Sequence, residues 1–310
     1  LNNLLHAING ALIFWLLYRA LGNRFVPFFV ALFFLVHPLQ TEAVTYVAGR
    51  GDPLNVFFML LALLAFRKLY QSVARRRWLW YSLSLAFLAL ALLSRETAII
   101  FPFLALVYAL TFLERGPFWT SLKHVLVKTL PHFGLVLIYG ILRLTVLNFE
   151  NTLNFYSRAN PYSESFLTRM YTFMGVLLGY AKLMVAPLGQ HMERSVQVYQ
   201  SPFHWQVMLP FAVIVGLIIA IIVSWRRNKR ASMLFFAVGW FFVNLGPTSG
   251  ITPINAVMYE HWLYLALVGP LTLALYGVHR LWLRWGSARM LRAAILVVLV
   301  AIAGVFSWLS

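Results

Sequence analysis

The chain has 310 residues, 62% of them apolar and only 11% charged, with 25 lysines and arginines, 8 acidic residues and no cysteine. A soluble domain of this length carries roughly a quarter charged residues, so a water-soluble globular protein is excluded, as are disulfides and thiolate-held metals. The formal charge of +17 raises nucleic acid as a partner. The basic residues gather at the ends of apolar runs, however, as membrane topology demands, which argues against it.

The chain opens on Leu1 and enters an apolar helix at once in "LNNLLHAINGALIFWLL", with no visible signal peptide. The expectation is that the natural N-terminus lies upstream. The last helix runs to Ser310, which leaves the other end open too. Spans are predicted at about 4–21, 26–36 (short), 54–70, 78–94, 97–113, 129–147, 208–225, 231–247, 262–279 and 293–309. A further apolar stretch, 170–187, lies inside the segment 148–207, which is too long for a simple connection and reads as a functional outer loop or cap. If 170–187 stays on the surface, the other connections alternate sides consistently. The sequence thus predicts an all-α, polytopic helical membrane protein: one domain over 1–310, with about 10 spans and a surface or re-entrant helix.

In this topology Arg50, Arg95, Arg143, Arg158, Arg169, Lys182 and Arg194 share one side, and the other 18 of the 25 basic residues share the opposite one. The second side is cytoplasmic by the positive-inside rule, which accounts for "ARRRW" and "WRRNKR". Of the acids, only Glu114 is inside, whereas Glu42, Asp52, Glu96, Glu150, Glu164, Glu193 and Glu260 are outside. Acidic residues contribute little to orientation, so insertion does not explain this bias. A site on the outer face does. "WLWY" (78–81), Trp205, Trp262 and Trp282 fall near helix ends and read as interfacial belts.

Four stretches carry candidate chemistry. In "HPLQTEAVTYVAGRGDPL" (37–54), Thr41 is expected to cap a short helix over "EAVTYVAG" that Gly49 ends. Glu42, Tyr46 and Arg50 would then share one face by four-residue spacing. Asp52, in "GDP", is either an N-cap with Pro53 at the first helical position or a site acid, and Glu42 with Arg50 is either an interfacial ion pair or part of a site. In "LLSRETAIIFP" (92–102), Ser94 is the expected cap of a helix from about Thr97, leaving Arg95 and Glu96 at a tight outer turn. There they either pair and snorkel or present Arg95 to an anionic headgroup. Arg143 lies within an apolar span about a turn from its outer end, where an arginine must face protein, water or an anion. In "NAVMYEHWLYLALVGP" (255–270), Glu260 suits a helix N-terminus by dipole alone, and His261 is either a satisfied interfacial histidine or a ligand. No HExxH, G-x-S-x-G, Walker or dinucleotide motif is present, so no metal site is expected.

These stretches resemble a family. "HPLQTEAVTYVAGRGDPLNVFFML" is similar to the HP-x-x-TEAV-x-x-x-x-GR-x-D-x-L segment of the transmembrane and tetratricopeptide-repeat O-mannosyltransferases and their bacterial relatives. "LLSRETAIIFP" resembles that family's SKE-x-x-I-x-x-P turn, with Arg95 for lysine. "TRMYTFMGVLLGYAKLMVAPLGQ" resembles its long outer-loop region with a T-R-x-x-T pattern. "YEHWLYLALVG" resembles ER-x-LYLPS-x-G, with His261 for arginine and Ala266-Leu267 for Pro-Ser.

The resemblance implies a glycosyltransferase of the C-type membrane fold. Its donor is a polyprenyl phosphate-linked sugar, its acceptor a protein hydroxyl, and its active face the periplasmic or lumenal one. The family's principal catalytic acids and its tetratricopeptide repeats would lie outside this chain, which is therefore expected to be inactive alone. Glu42, Asp52 and Glu260 are then the supporting acids. His37, Arg50, Arg95, Glu96, Arg143 and His261 are the residues expected to bind the lipid phosphate or sugar. No cofactor beyond the lipid-linked donor is implied, and the absent cysteine and compact loops point to a bacterial inner membrane. Two other readings stay open: a transporter or flippase for an anionic or polyprenyl-linked substrate, and a non-catalytic anchor for a downstream repeat domain. The gathering of polar residues at one membrane face favours the enzyme over the transporter.

Overall fold

The structure, a computed structural model, describes residues 1–146, 160–191, 194–228, 232–284 and 289–310. Glu150, Arg158, Glu193, Lys229 and Arg230 lie outside the described residues. Among the described residues there is no strand. The helices are α1 (Asn2–Leu21), α2 (Phe25–Val36), α3 (Thr41–Thr45), α4 (Gly51–Gln71), α5 (Ala74–Ser94), α6 (Phe101–Phe112), α7 (Phe118–Thr145), α8 (Pro161–Glu164), α9 (Phe166–Val185), α10 (Trp205–Asn228), α11 (Met233–Leu245), α12 (Leu263–Ala266), α13 (Val268–Arg284) and α14 (Arg289–Leu309). Among the described residues, helices cover each predicted apolar stretch apart from a few terminal or junction residues.

Six helices, α1, α4, α5, α7, α10 and α14, are each long and apolar enough to cross a membrane. Two bent pairs raise the number to 8: α2 with 38–45, bent by 58°, and 260–266 with α13, bent by 52°. The two remaining predicted spans, 97–113 and 231–247, are shorter apolar helices whose outer ends tighten into 3-10 turns, Glu96–Ile100 and Gly246–Thr248. Proline explains the first bend. Pro38 disfavours helical geometry at the residue before it, and His37 is extended, with ψ 126°. These long apolar helices make the chain an integral membrane protein.

The connections sort to two ends, as the charge distribution requires. At the inner end Arg67 Nη2 donates to the Arg19 carbonyl at 2.8 Å, Glu114 meets His124 at 2.6 Å, and Phe118 packs on Trp225. At the outer end α9 is tied to neighbouring connections. Near its start Arg169 reaches Gly250. Thr172 accepts from the Tyr199 N–H, the Tyr180 hydroxyl donates to the Tyr259 carbonyl, and at its end the Met184 carbonyl meets His37. All of these partners belong to connections at that end, while the middle of α9 packs beside α10 and α11.

Inside a bilayer apolar burial does not drive helices together, and close packing of small residues does. Gly269 shows this at the α11–α13 contact, where an added Cβ would lie 2.6 Å from the Ala237 carbonyl oxygen. Beside it the Trp240 indole donates to the Leu265 carbonyl at 2.8 Å. Gly269→Ala is expected to destabilise the protein by about 1–3 kcal/mol through overpacking, visible as a lowered unfolding temperature in detergent.

Three predicted caps are corrected. The helix expected over 42–49 is split: α3 stops at Thr45, Tyr46 is extended (ψ 109°), and Val47–Arg50 forms a 3-10 turn. Glu42, Tyr46 and Arg50 therefore do not share a helical face. Thr41 is the first residue of α3 rather than its cap, and its carbonyl accepts from the Thr45 hydroxyl. Asp52 lies inside the first turn of α4 and makes no capping bond, because the helix already begins at Gly51. Ser94 ends α5 instead of starting a helix, its hydroxyl bonded back to the Leu90 carbonyl. For Asp52 and Ser94 the polar side chain had a better partner than the helix terminus offered, Arg95 and the Leu90 carbonyl.

Candidate functional site

The outer ends of the spans bring most of the predicted residues into one ion-paired cluster. Arg95 is the sole extended residue between α5 and the 96–100 turn, with φ −161° and ψ 140°. That geometry sends successive side chains to opposite sides. Arg95 turns toward α4 and pairs with Asp52, and its other Nη faces His261 Nε2 at 3.5 Å. Glu96 turns toward the end of α7 and meets Arg143 at 3.6 Å. Arg143 also donates to the Tyr139 hydroxyl at 2.8 Å, one helical turn back. Its place in the last turn of α7 sets its charge favourably against the helix dipole.

The opposite wall is the turn Glu260–Trp262. Glu42 holds His261 at two points, accepting from its backbone N–H at 2.8 Å and from Nδ1 at 2.6 Å. The contact joins residues 219 positions apart in sequence. The ring of Tyr259 stacks on His261 at 5.1 Å between centroids. Glu260, only 2% exposed, faces away from His261. One of its oxygens accepts from Arg194 Nε at 2.9 Å, from Arg194 Nη2 at 2.6 Å and from the His191 N–H at 3.1 Å.

The cluster thus unites Glu42, Asp52, Arg95, Glu96, Arg143, Glu260 and His261. It treats two other predicted residues differently. His37 is 1% exposed, and both ring nitrogens go to backbone: Nδ1 accepts from the Leu39 N–H at 3.2 Å and Nε2 meets the Met184 carbonyl at 3.2 Å. It fastens the bend after α2 to α9 and leaves no nitrogen for a ligand. Arg50 lines an outer hollow with Asn2, Asn3 and Thr45.

Sequence reasoning missed Arg194 and Arg169 as individuals, although both were counted on the outer side. Arg169 is nearly buried, donating to the carbonyls of Gly250 at 2.7 Å and Ser163 at 2.9 Å, so it ties α8 and the loop after α11 to α9. The charge balance of the outer face was the available signal, since each low-dielectric carboxylate there needs a cation.

Two hollows adjoin the cluster. A small one of about 40 Å³ lies between Asp52, Asn55, Thr97, Asn244, Thr248, His261 and Tyr264. Asn55 donates to the Thr97 hydroxyl at 2.8 Å while its own carbonyl oxygen has no partner among the described residues. A space of this size has room for a water molecule. The second is an apolar groove of about 350 Å³ between α9, α10, α11 and α13, with Leu177, Val213, Phe241 and Leu273 among its walls. α11 links the two: Phe241 and Phe242 face the groove, and Asn244 and Thr248, just beyond, face the small cavity. Among the described residues no three His, Asp or Glu side chains are grouped to hold a metal ion.

Fold and site together define a polytopic helical membrane protein with a polar, ion-paired cluster at one face and an apolar groove beside it. The family model described as dolichyl-phosphate-mannose-protein mannosyltransferase matches residues 2–141. The chain is 27% identical over 299 residues to the human protein O-mannosyl-transferase TMTC4, covering 87% of this chain and 40% of that protein. It is 30% identical over 191 residues to the Drosophila melanogaster protein O-mannosyl-transferase Tmtc2, covering 60% of this chain and 20% of that one. No solved structure matches. These similarities agree with the protein O-mannosyltransferase family that the motifs resemble, and the chain spans two fifths or less of the length of these relatives.

Proposed function

We propose that this chain forms the membrane part of a glycosyltransferase that moves a sugar, mannose-like, from a polyprenyl phosphate to a protein hydroxyl at the periplasmic or lumenal face, in a bacterial inner membrane. The observation that carries this reading is the set of guanidinium groups held by carboxylates at the outer boundary, in a chain collinear with protein O-mannosyltransferases. An inverting transfer needs cations at the departing phosphate and a carboxylate to receive the hydroxyl proton. Arg95 and Arg143 take the first role, with Arg50 at the rim. Glu42, Asp52 and Glu260 are each engaged by a cation or an imidazole, which suits them to orient those groups. The apolar groove suits the isoprenoid chain, and the lipid-linked sugar is the one co-substrate the reading requires.

The test is transfer of labelled mannose from polyprenyl phosphate mannose to a serine- and threonine-bearing acceptor in membranes containing the full-length protein that carries this chain. Glu42→Gln and Arg143→Gln are expected to reduce transfer to background while membrane insertion is unchanged. Full transfer by both variants would remove the site assignment, and no transfer from any polyprenyl phosphate sugar would remove the function.

A further inference from the structure

We propose that His261 is a positioning residue for Arg95, its ring offering an acceptor that holds the guanidinium ready for the donor phosphate. This rests on the reading that Arg95 meets that phosphate.

The hydrogen bonds fix the state of the ring. Glu42 holds the His261 backbone N–H and Nδ1 at 2.8 and 2.6 Å. A carboxylate only accepts, so Nδ1 carries a proton. On the other side Nε2 faces Arg95 Nη2 at 3.5 Å. A guanidinium has donors and no acceptor, so Nε2 must offer its lone pair. The neutral ring with its proton on Nδ1 is the one form that satisfies both neighbours. Glu42 selects that tautomer as carboxylates orient imidazoles elsewhere.

Arg95 is thereby aimed by two acceptors from different walls, Asp52 on α4 and His261 on the 260–262 turn. The charged groups that face the imidazole are Glu42 from α3, Arg95 from the turn after α5, and Asp52 across the small cavity, while Tyr259 stacks on the ring. Glu260, on the same turn, is turned toward Arg194. Without the His261 acceptor, Arg95 keeps Asp52 alone of the two.

The experiment measures binding of farnesyl phosphate to the purified protein in detergent for the wild type, His261→Gln, His261→Asn and Arg95→Gln. Glutamine keeps an acceptor near the position of Nε2. Asparagine keeps the bond to Glu42 and leaves Arg95 without its acceptor.

His261→Gln is expected to bind like the wild type and His261→Asn about tenfold more weakly, the scale of one hydrogen bond. Wild-type binding by His261→Asn, or binding by His261→Gln as weak as that of His261→Asn, overturns the proposal while a weakened Arg95→Gln leaves the phosphate reading standing. Arg95→Gln binding as tightly as the wild type overturns both.

Discussion

Arg194→Ala is expected to destabilise the protein by about 3–5 kcal/mol, because it strands a buried charge. Glu260 is 2% exposed, and one of its oxygens collects both Arg194 donors and the His191 N–H. Without the guanidinium, a carboxylate in a low-dielectric setting keeps one backbone donor, and the segment around residues 189–194 loses its anchor to the 260–262 turn. Replacing both partners tests the cause. Arg194→Leu with Glu260→Gln removes both charges and keeps an acceptor for the His191 N–H, so most of the lost stability should return. The measurement is thermal unfolding in detergent followed by tryptophan fluorescence. A single variant that unfolds with the wild type would show that the pair does not hold this segment.

The second large effect is on activity. Arg95→Gln is expected to lower transfer by about 100-fold to 1000-fold, the usual consequence of removing one preorganised donor from a site of developing negative charge. Asp52 and His261 hold the guanidinium in advance, so its placement costs little during the reaction. Glutamine keeps a polar head but shortens the side chain and removes the charge. The check is a transfer assay at saturating acceptor across a range of donor concentrations. Unchanged rate and donor dependence would place the phosphate elsewhere.

The spans were legible because transfer into lipid depends on local composition, which a window of sequence contains. The side of each connection was legible from the basic residues for the same reason. That Glu42, Asp52, Arg95, Glu96, Arg143, Glu260 and His261 belong to one face followed from topology alone. Who pairs with whom did not. Asp52 and Arg95 are 43 positions apart and Glu42 and His261 are 219 apart. No local rule relates such residues, because the helices between them set their distance.

The caps failed for the opposite reason, from too much trust in local rules. Thr41, Asp52 and Ser94 each stand where a cap motif reads well, yet 3-10 turns before or after them shifted the helix ends by one or a few residues. His37 was drawn into the site by its neighbours in the motif, while its role is to pin a proline bend. Arg194 was overlooked because it sits in a loop with no motif of its own.

Within the described part of the cluster each acid already has a counterpart: Asp52 with Arg95, Glu96 with Arg143, Glu260 with Arg194, and Glu42 with an imidazole. The outer face is thus closer to a small neutral ion lattice than to a basic funnel. An arriving anion gains little from long-range attraction, which salt would screen within about 8–10 Å. It must instead trade places with a resident carboxylate at contact, so discrimination among anions falls to the geometry of that exchange and not to the charge they carry.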